Sequence, residues 1–137
     1  MKFQLCVIFS LMSLIIQAQT IKLDSSNLPI CIIDTRGKTI ANEPKILAHM
    51  KIIYNGPGKT NSVKDLKYNY NNFIAIEIRG NSSQSYPQKQ YGIELRDSVS
   101  GNDLDTTILD MPKEEDWVLY APYNDISLLR NVMTYHF

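Results

Sequence analysis

Isoleucines at positions 74, 76 and 78 alternate with polar or small neighbours, and the alternation resumes with Tyr91, Ile93 and Leu95. A period of two marks a strand with one face turned to a core. The two runs therefore predict neighbouring strands joined by a loop over residues 80–88. The same reading predicts a strand at 30–34, followed by a turn over Thr35, Arg36, Gly37 and Lys38. Another strand is expected over 45–54, where Ile46, Ala48, Met50 and Ile52 alternate until Ile53 and Tyr54 interrupt them. Trp117 to Tyr120 reads as a further strand. Residues 24–27 form a polar lead-in. Residues 55–72, with two glycines, a proline and many Asn and Lys residues, read as a long exposed loop. Residues 97–107 read as a turn tipped by Gly101 and Asn102, and 108–112 as a short connection. From Ser127 the apolar spacing becomes helical, through Leu128 or Leu129, Val132 with Met133, and His136 with Phe137. Such a helix, capped by Ser127 or Asp125, would bury Leu128, Leu129, Val132 and Met133 against the sheet. It ends at Phe137 without a glycine, proline or charged tail, which reads as a fragment.

Parity gives Lys89 a special place. Counting back from Tyr91 puts it on the apolar face, where an ammonium is costly to desolvate and wants an anionic partner or the mouth of a cleft. The intervening loop adds Asn81, Ser82, Ser83, Gln84 and Ser85, with Arg79 at its entrance as a fork-shaped cation. These groups suit an anion cradle for phosphate or carboxylate. Equally, such loops often only join strands, and Lys89 can extend its ammonium past the sheet edge into water.

With 44% hydrophobic and 20% charged residues over 137 positions, the composition is that of one folded domain rather than a disordered chain. Zero formal net charge gives no bulk attraction for nucleic acid or an anionic membrane, so any anion site must be local. Residues 1–18, with Lys2, an apolar run from Leu5 to Ile16 and then Gln17 and Ala18, have the layout of a secretory signal peptide cleaved after Ala18. The expected location is secreted, cell-surface or periplasmic, with no membrane attachment beyond export. The mature domain, 19–137, then keeps Cys31 as its single thiol and has no internal disulfide. Cys31 sits in an apolar run and reads as a small buried hydrophobe rather than a nucleophile, since neither His49 nor His136 pairs with it recognisably.

Three other patterns carry little. Gly58, Lys59 and Thr60 imitate the end of a P-loop, but the glycine that motif needs is Ile53 here and no helix follows. Asn81, Ser82 and Ser83 form a glycosylation sequon of a kind common by chance. Glu114, Glu115 and Asp116 are consecutive, so their carboxylates diverge, and no metal site is expected there.

Two separated stretches, RGNSSQSYPQKQYGIELRD and MPKEEDWVLYAPYNDISLLRN, agree in order and spacing with a known pattern. Through them the chain resembles the amino-terminal part of the CotH kinase family, secreted bacterial or spore-coat proteins, with a likeness running over about 28–137. Arg79, Gly80, Ser82, Ser83, Gln84, Pro87, Lys89, Tyr91, Asp125, Ser127, Leu128, Arg130 and Asn131 match; Gln88 and Ile126 stand where the family tends to have lysine. The resemblance implies an α+β domain: a β-rich small lobe of an atypical protein-kinase-like fold with a C-terminal helix, apparently truncated. It also implies ATP and Mg as cofactors of the complete protein, and phosphate transfer to protein Ser or Thr. Lys89, Arg79, Ser82, Ser83 and Arg130 would be the nucleotide-binding residues. The metal-binding aspartates are expected downstream, which would leave this chain inactive alone. The contrasting expectation is a noncatalytic extracellular β-rich module that binds protein or glycan through Tyr86, Tyr91, Trp117, Tyr120 and Tyr123.

Overall fold

The computed structural model describes residues 22–128, 130, 133 and 134. Five strands form one antiparallel sheet: β2 (Ile30–Asp34), β3 (Ile46–Ile53), β5 (Tyr70–Arg79), β6 (Gln90–Arg96) and β7 (Asp116–Leu119). They lie in the order β2-β3-β5-β6-β7, and a separate two-stranded sheet pairs β1 (Ser25–Ser26) with β4 (Asn61–Ser62). The strands expected from alternation are present, and a 3-10 turn, Ser82–Ser85, lies in the loop between β5 and β6. The architecture is β-rich.

The register sorts side chains onto two faces. Ile74 stands opposite Leu95, Ile76 opposite Ile93 and Ile78 opposite Tyr91. Ile74, Ile76, Ile93 and Leu95 make the core with Tyr70 of β5 and with Ala48, Met50 and Ile52 of β3, and Tyr91 packs against it half-buried. Ile74, Ile76 and Leu95 are completely buried, which stabilises by roughly 1.5–3 kcal/mol for each such side chain. Tyr70 also lies in this layer; its hydroxyl donates to the Phe73 carbonyl at 2.8 Å, and burial pushes its pKa up to about 12. The chain between β6 and β7 folds back over this face, so that Ile108, expected in a mere connection, is buried beside Leu104 and Leu109.

The expected long exposed loop over 55–72 is instead partly built into the fold. Asn61 is completely buried: its Oδ1 accepts the Asn55 N–H at 2.7 Å, and its Nδ2 donates to the Leu28 carbonyl at 2.8 Å. Ile53, which interrupts the alternation of β3, is buried opposite Ile30 on the second face. Cys31 corrects another expectation. It is exposed, because β2 is an edge strand, although the thiol borders an apolar groove with Met50 and Trp117 whose partial desolvation raises its pKa.

The C-terminal helix expected from Ser127 is not established as an element. Arg130, Met133 and Thr134 are helical, but Leu128 has φ +57°, which a continuing helix does not allow. Leu128 and Met133 are exposed rather than packed on the sheet. Leu129, Asn131, Val132, His136 and Phe137 lie outside the described residues, as does the expected signal segment 1–18. Among the described residues no helix is long and apolar enough to cross a membrane.

Candidate functional site

The loop after β5 turns sharply at Gly80, whose φ of +99° lies in the region that only glycine enters freely. A Cβ there would also collide with Ser83 Oγ. The tight entry lets the loop's side chains fold back on its own backbone. Ser85 Oγ donates to the Ser82 carbonyl at 2.8 Å, and Ser83 Oγ approaches the Arg79 carbonyl at 3.4 Å. Gln84 Nε2 donates to the Gly80 carbonyl and, at 2.8 Å, to Asn42 Oδ1 in the β2–β3 connection. Ser82 keeps its exposed hydroxyl without a protein partner among the described residues.

Lys89 stands one position ahead of β6, half-buried, and its Nζ donates to the Gln84 carbonyl. It has no carboxylate within ion-pair distance among the described residues, so its charge is available to an anion at the loop. Arg79 is placed differently. It pairs with Gln90 in the ladder, one step out of phase with the Ile78–Tyr91 pair, and so leaves the opposite face from the core. There Glu77 and Arg79 lie over Gly92, close enough that a Cβ on it would meet Glu77 Oε1 at 3.7 Å and Arg79 Cδ at 4.0 Å in ordinary van der Waals contact. The structure therefore does not bring Arg79 and Lys89 to one face, and parity could have shown this, since Arg79 is one residue out of phase with Ile78 whereas Lys89 is two residues from Tyr91 and in phase with it.

Arg79 instead joins Lys45, Glu77 and Asp116 around a cleft of about 250 Å³. Beside it runs an ion network in which Glu94 holds Lys45 through Oε1 and Arg96 through Oε2, while Arg96 also pairs with Asp103. Sequence reasoning passed over Lys45 and Glu94. Their parity opposite the core was readable, but the partnering of β3, β5 and β6 that aligns them was not.

The second matching stretch reaches the loop through an aromatic contact. Tyr86 and Tyr123 stack with centroids 5.1 Å apart and planes 27° from parallel. Two residues on, Asp125 is buried and gathers the turn that follows. It accepts from Ser127 Oγ at 2.6 Å, the Ser127 N–H at 3.1 Å and the Arg130 N–H at 3.0 Å. The Ser127 hydroxyl bond, ahead of the Arg130 and Ser127 amides and the Arg130 charge, outweighs desolvation and holds its carboxyl below the usual range. Arg130 Nε sits 3.4 Å from Asp125 Oδ1 but its side chain is 78% exposed, so the guanidinium is reachable from solvent. Asp125, one of the two residues expected to cap a helix here, thus organises a turn that Leu128 at φ +57° keeps from being the first turn of that helix. Among the described residues no three carboxylate, histidine or cysteine side chains converge to hold a metal ion.

Comparison with known families matches residues 76–137 to the family described as CotH kinase protein. The matched span begins inside β5, takes in both stretches singled out in the sequence, and is narrower than the likeness read there. No curated protein matches the chain, and no solved structure does.

Proposed function

Residues 76–137 match the family described as CotH kinase protein, and from that match we propose that the chain supplies the phosphate-gripping part of an ATP-dependent protein Ser/Thr kinase. The observation that carries this reading is Lys89: a half-buried ammonium at the root of the hydroxyl-rich loop, bonded to a carbonyl and to no carboxylate. A nucleotide phosphate would give it the anionic partner its burial asks for. Ser82 would add a hydroxyl donor at the loop's exposed edge, with Ser83 behind it. Arg130 would approach from the segment tied to the loop by the Tyr86–Tyr123 stack. Arg79, on the other face, would contribute only from beyond the hairpin's edge. In this role the chain's residues bind and orient the phosphates, while the hydroxyl oxygen of the substrate displaces ADP at the terminal phosphorus. Among the described residues no cluster of carboxylate, histidine or cysteine side chains fits a magnesium ion, and holding the phosphates is the part these residues perform. We further infer export directed by residues 1–18, with action on proteins outside the cytoplasm.

The test is ATP binding to the full chain by calorimetry. Lys89→Ala should weaken it by about tenfold or more, as loss of a charge-assisted contact does, without lowering the melting temperature. Equal affinity in the variant would remove Lys89 from the site. No binding in the parent chain would favour the binding-module reading, which the exposure of Val118, Tyr120 and Tyr123 supports.

A further inference from the structure

On the face of the sheet away from the core, β2 and β3 floor a cavity of about 460 Å³, walled by Arg36, His49, Lys51 and Tyr68. That volume falls within the roughly 300–1,000 Å³ of small-ligand pockets. None of its residues lies in the family-matched span, and none is used in the reading above.

The cavity's cations are fixed by aromatic rings. The Arg36 guanidinium lies 5.9 Å over the Phe73 ring and the Lys51 ammonium 5.3 Å over that of Tyr68. His49 meets the edge of Phe73 at 5.4 Å with the rings perpendicular. Stacking on a ring face holds a cation without neutralising it. Among the described residues no carboxylate forms an ion pair with Arg36 or Lys51. Asp34, the acidic group in the lining, accepts the Arg36 backbone N–H through Oδ1 at 2.8 Å, so Oδ2 is left to accept from a ligand. Arg36 also occupies a left-handed backbone position, φ +53°, beside Gly37 at φ +78°, in a turn closed by the Lys38 N–H and the Thr35 carbonyl at 3.1 Å. Asn, Asp or Gly fit that position with less strain, and an arginine there places its guanidinium at the rim.

We propose that this cavity binds a small phosphorylated sugar or polyol. The phosphate would lie between Arg36 and Lys51, two cations with no ion-pair partner among the described residues, which match the charge of a phosphate monoester, about −1.5 to −2, better than the single charge of a carboxylate. A hydroxyl of the organic part would donate to Asp34, and its carbon skeleton would rest on Ile32 and Val63.

The experiment follows the ring resonances of His49 and Phe73 by NMR in the full chain. Glucose 6-phosphate, inorganic phosphate and glucose are titrated in turn at constant ionic strength. Glucose 6-phosphate should give saturable shifts, inorganic phosphate weaker saturable shifts at the same rings, and glucose none. Arg36→Gly, which suits the turn, and Lys51→Gln should each weaken the sugar-phosphate affinity by about tenfold. Shifts that stay linear with concentration, that glucose reproduces, or that survive in both variants would overturn the proposal.

Discussion

Two regions of this protein are rich in polar side chains, and they spend them differently. In the loop between β5 and β6, Ser83, Gln84, Ser85 and Lys89 all point at carbonyl oxygens of residues 79–84. In the cavity on β2 and β3, Arg36 and Lys51 rest on aromatic rings and leave their donors uncommitted. The loop's serine and glutamine donors hold a shape and leave the remaining N–H groups of Lys89 to a ligand; the cavity's cations rest on rings with no carboxylate partner among the described residues. Density of polar residues therefore says little about readiness to bind. What matters is whether backbone carbonyls lie within reach, and a tight loop brings them there while an open sheet face has already paired them in its ladder.

The largest effect that would break this contrast is expected at the two turns. Gly80→Ala puts a Cβ at φ +99° and against Ser83, and should destabilise by about 1–3 kcal/mol in urea denaturation. Arg36→Gly relieves a left-handed arginine with open space at its glycine neighbour and should not destabilise. Equal losses at both would show that neither turn is tuned to its residue. A smaller effect separates two serines of one loop. Ser85→Ala removes a bond of 2.8 Å and should cost about 0.5–1.5 kcal/mol. Ser82→Ala removes a free hydroxyl and should stay within about 0.5 kcal/mol in the same assay. If Ser82 costs as much as Ser85, the loop is not divided into structural and available hydroxyls.

The smallest expected effect is on acid stability. Asp125, like the loop, spends its acceptors on the chain next to it, the Ser127 hydroxyl first. Its folded pKa is depressed from the ordinary 3.8, so its stabilisation is complete above that value and is lost as pH falls through the folded pKa. Melting temperatures measured from about pH 5 down to about pH 2 should fall less steeply in Asp125→Asn than in the parent. Parallel curves would mean that the carboxyl titrates alike in the folded and unfolded chains.

The strands and their inward rows were legible because alternation is a local property: whichever partner a strand takes, Ile74, Ile76, Ile93 and Leu95 fall on one side of it. The sequence by itself likewise determined the turn at Thr35–Lys38, the loop at 80–88 and the motifs through which residues 76–137 match the family described as CotH kinase protein. Tertiary structure alone decided which strands became neighbours, and with that everything that depends on neighbours. It put Cys31 on an edge, folded Ile108 over the core, buried Asn61 with two backbone partners and left Leu128 and Met133 in water. It also drew Arg36, His49 and Lys51 around one cavity. Side-chain direction along one strand follows from a period of two, whereas the partner a donor finds is set by segments tens of residues away, whose approach no local pattern encodes.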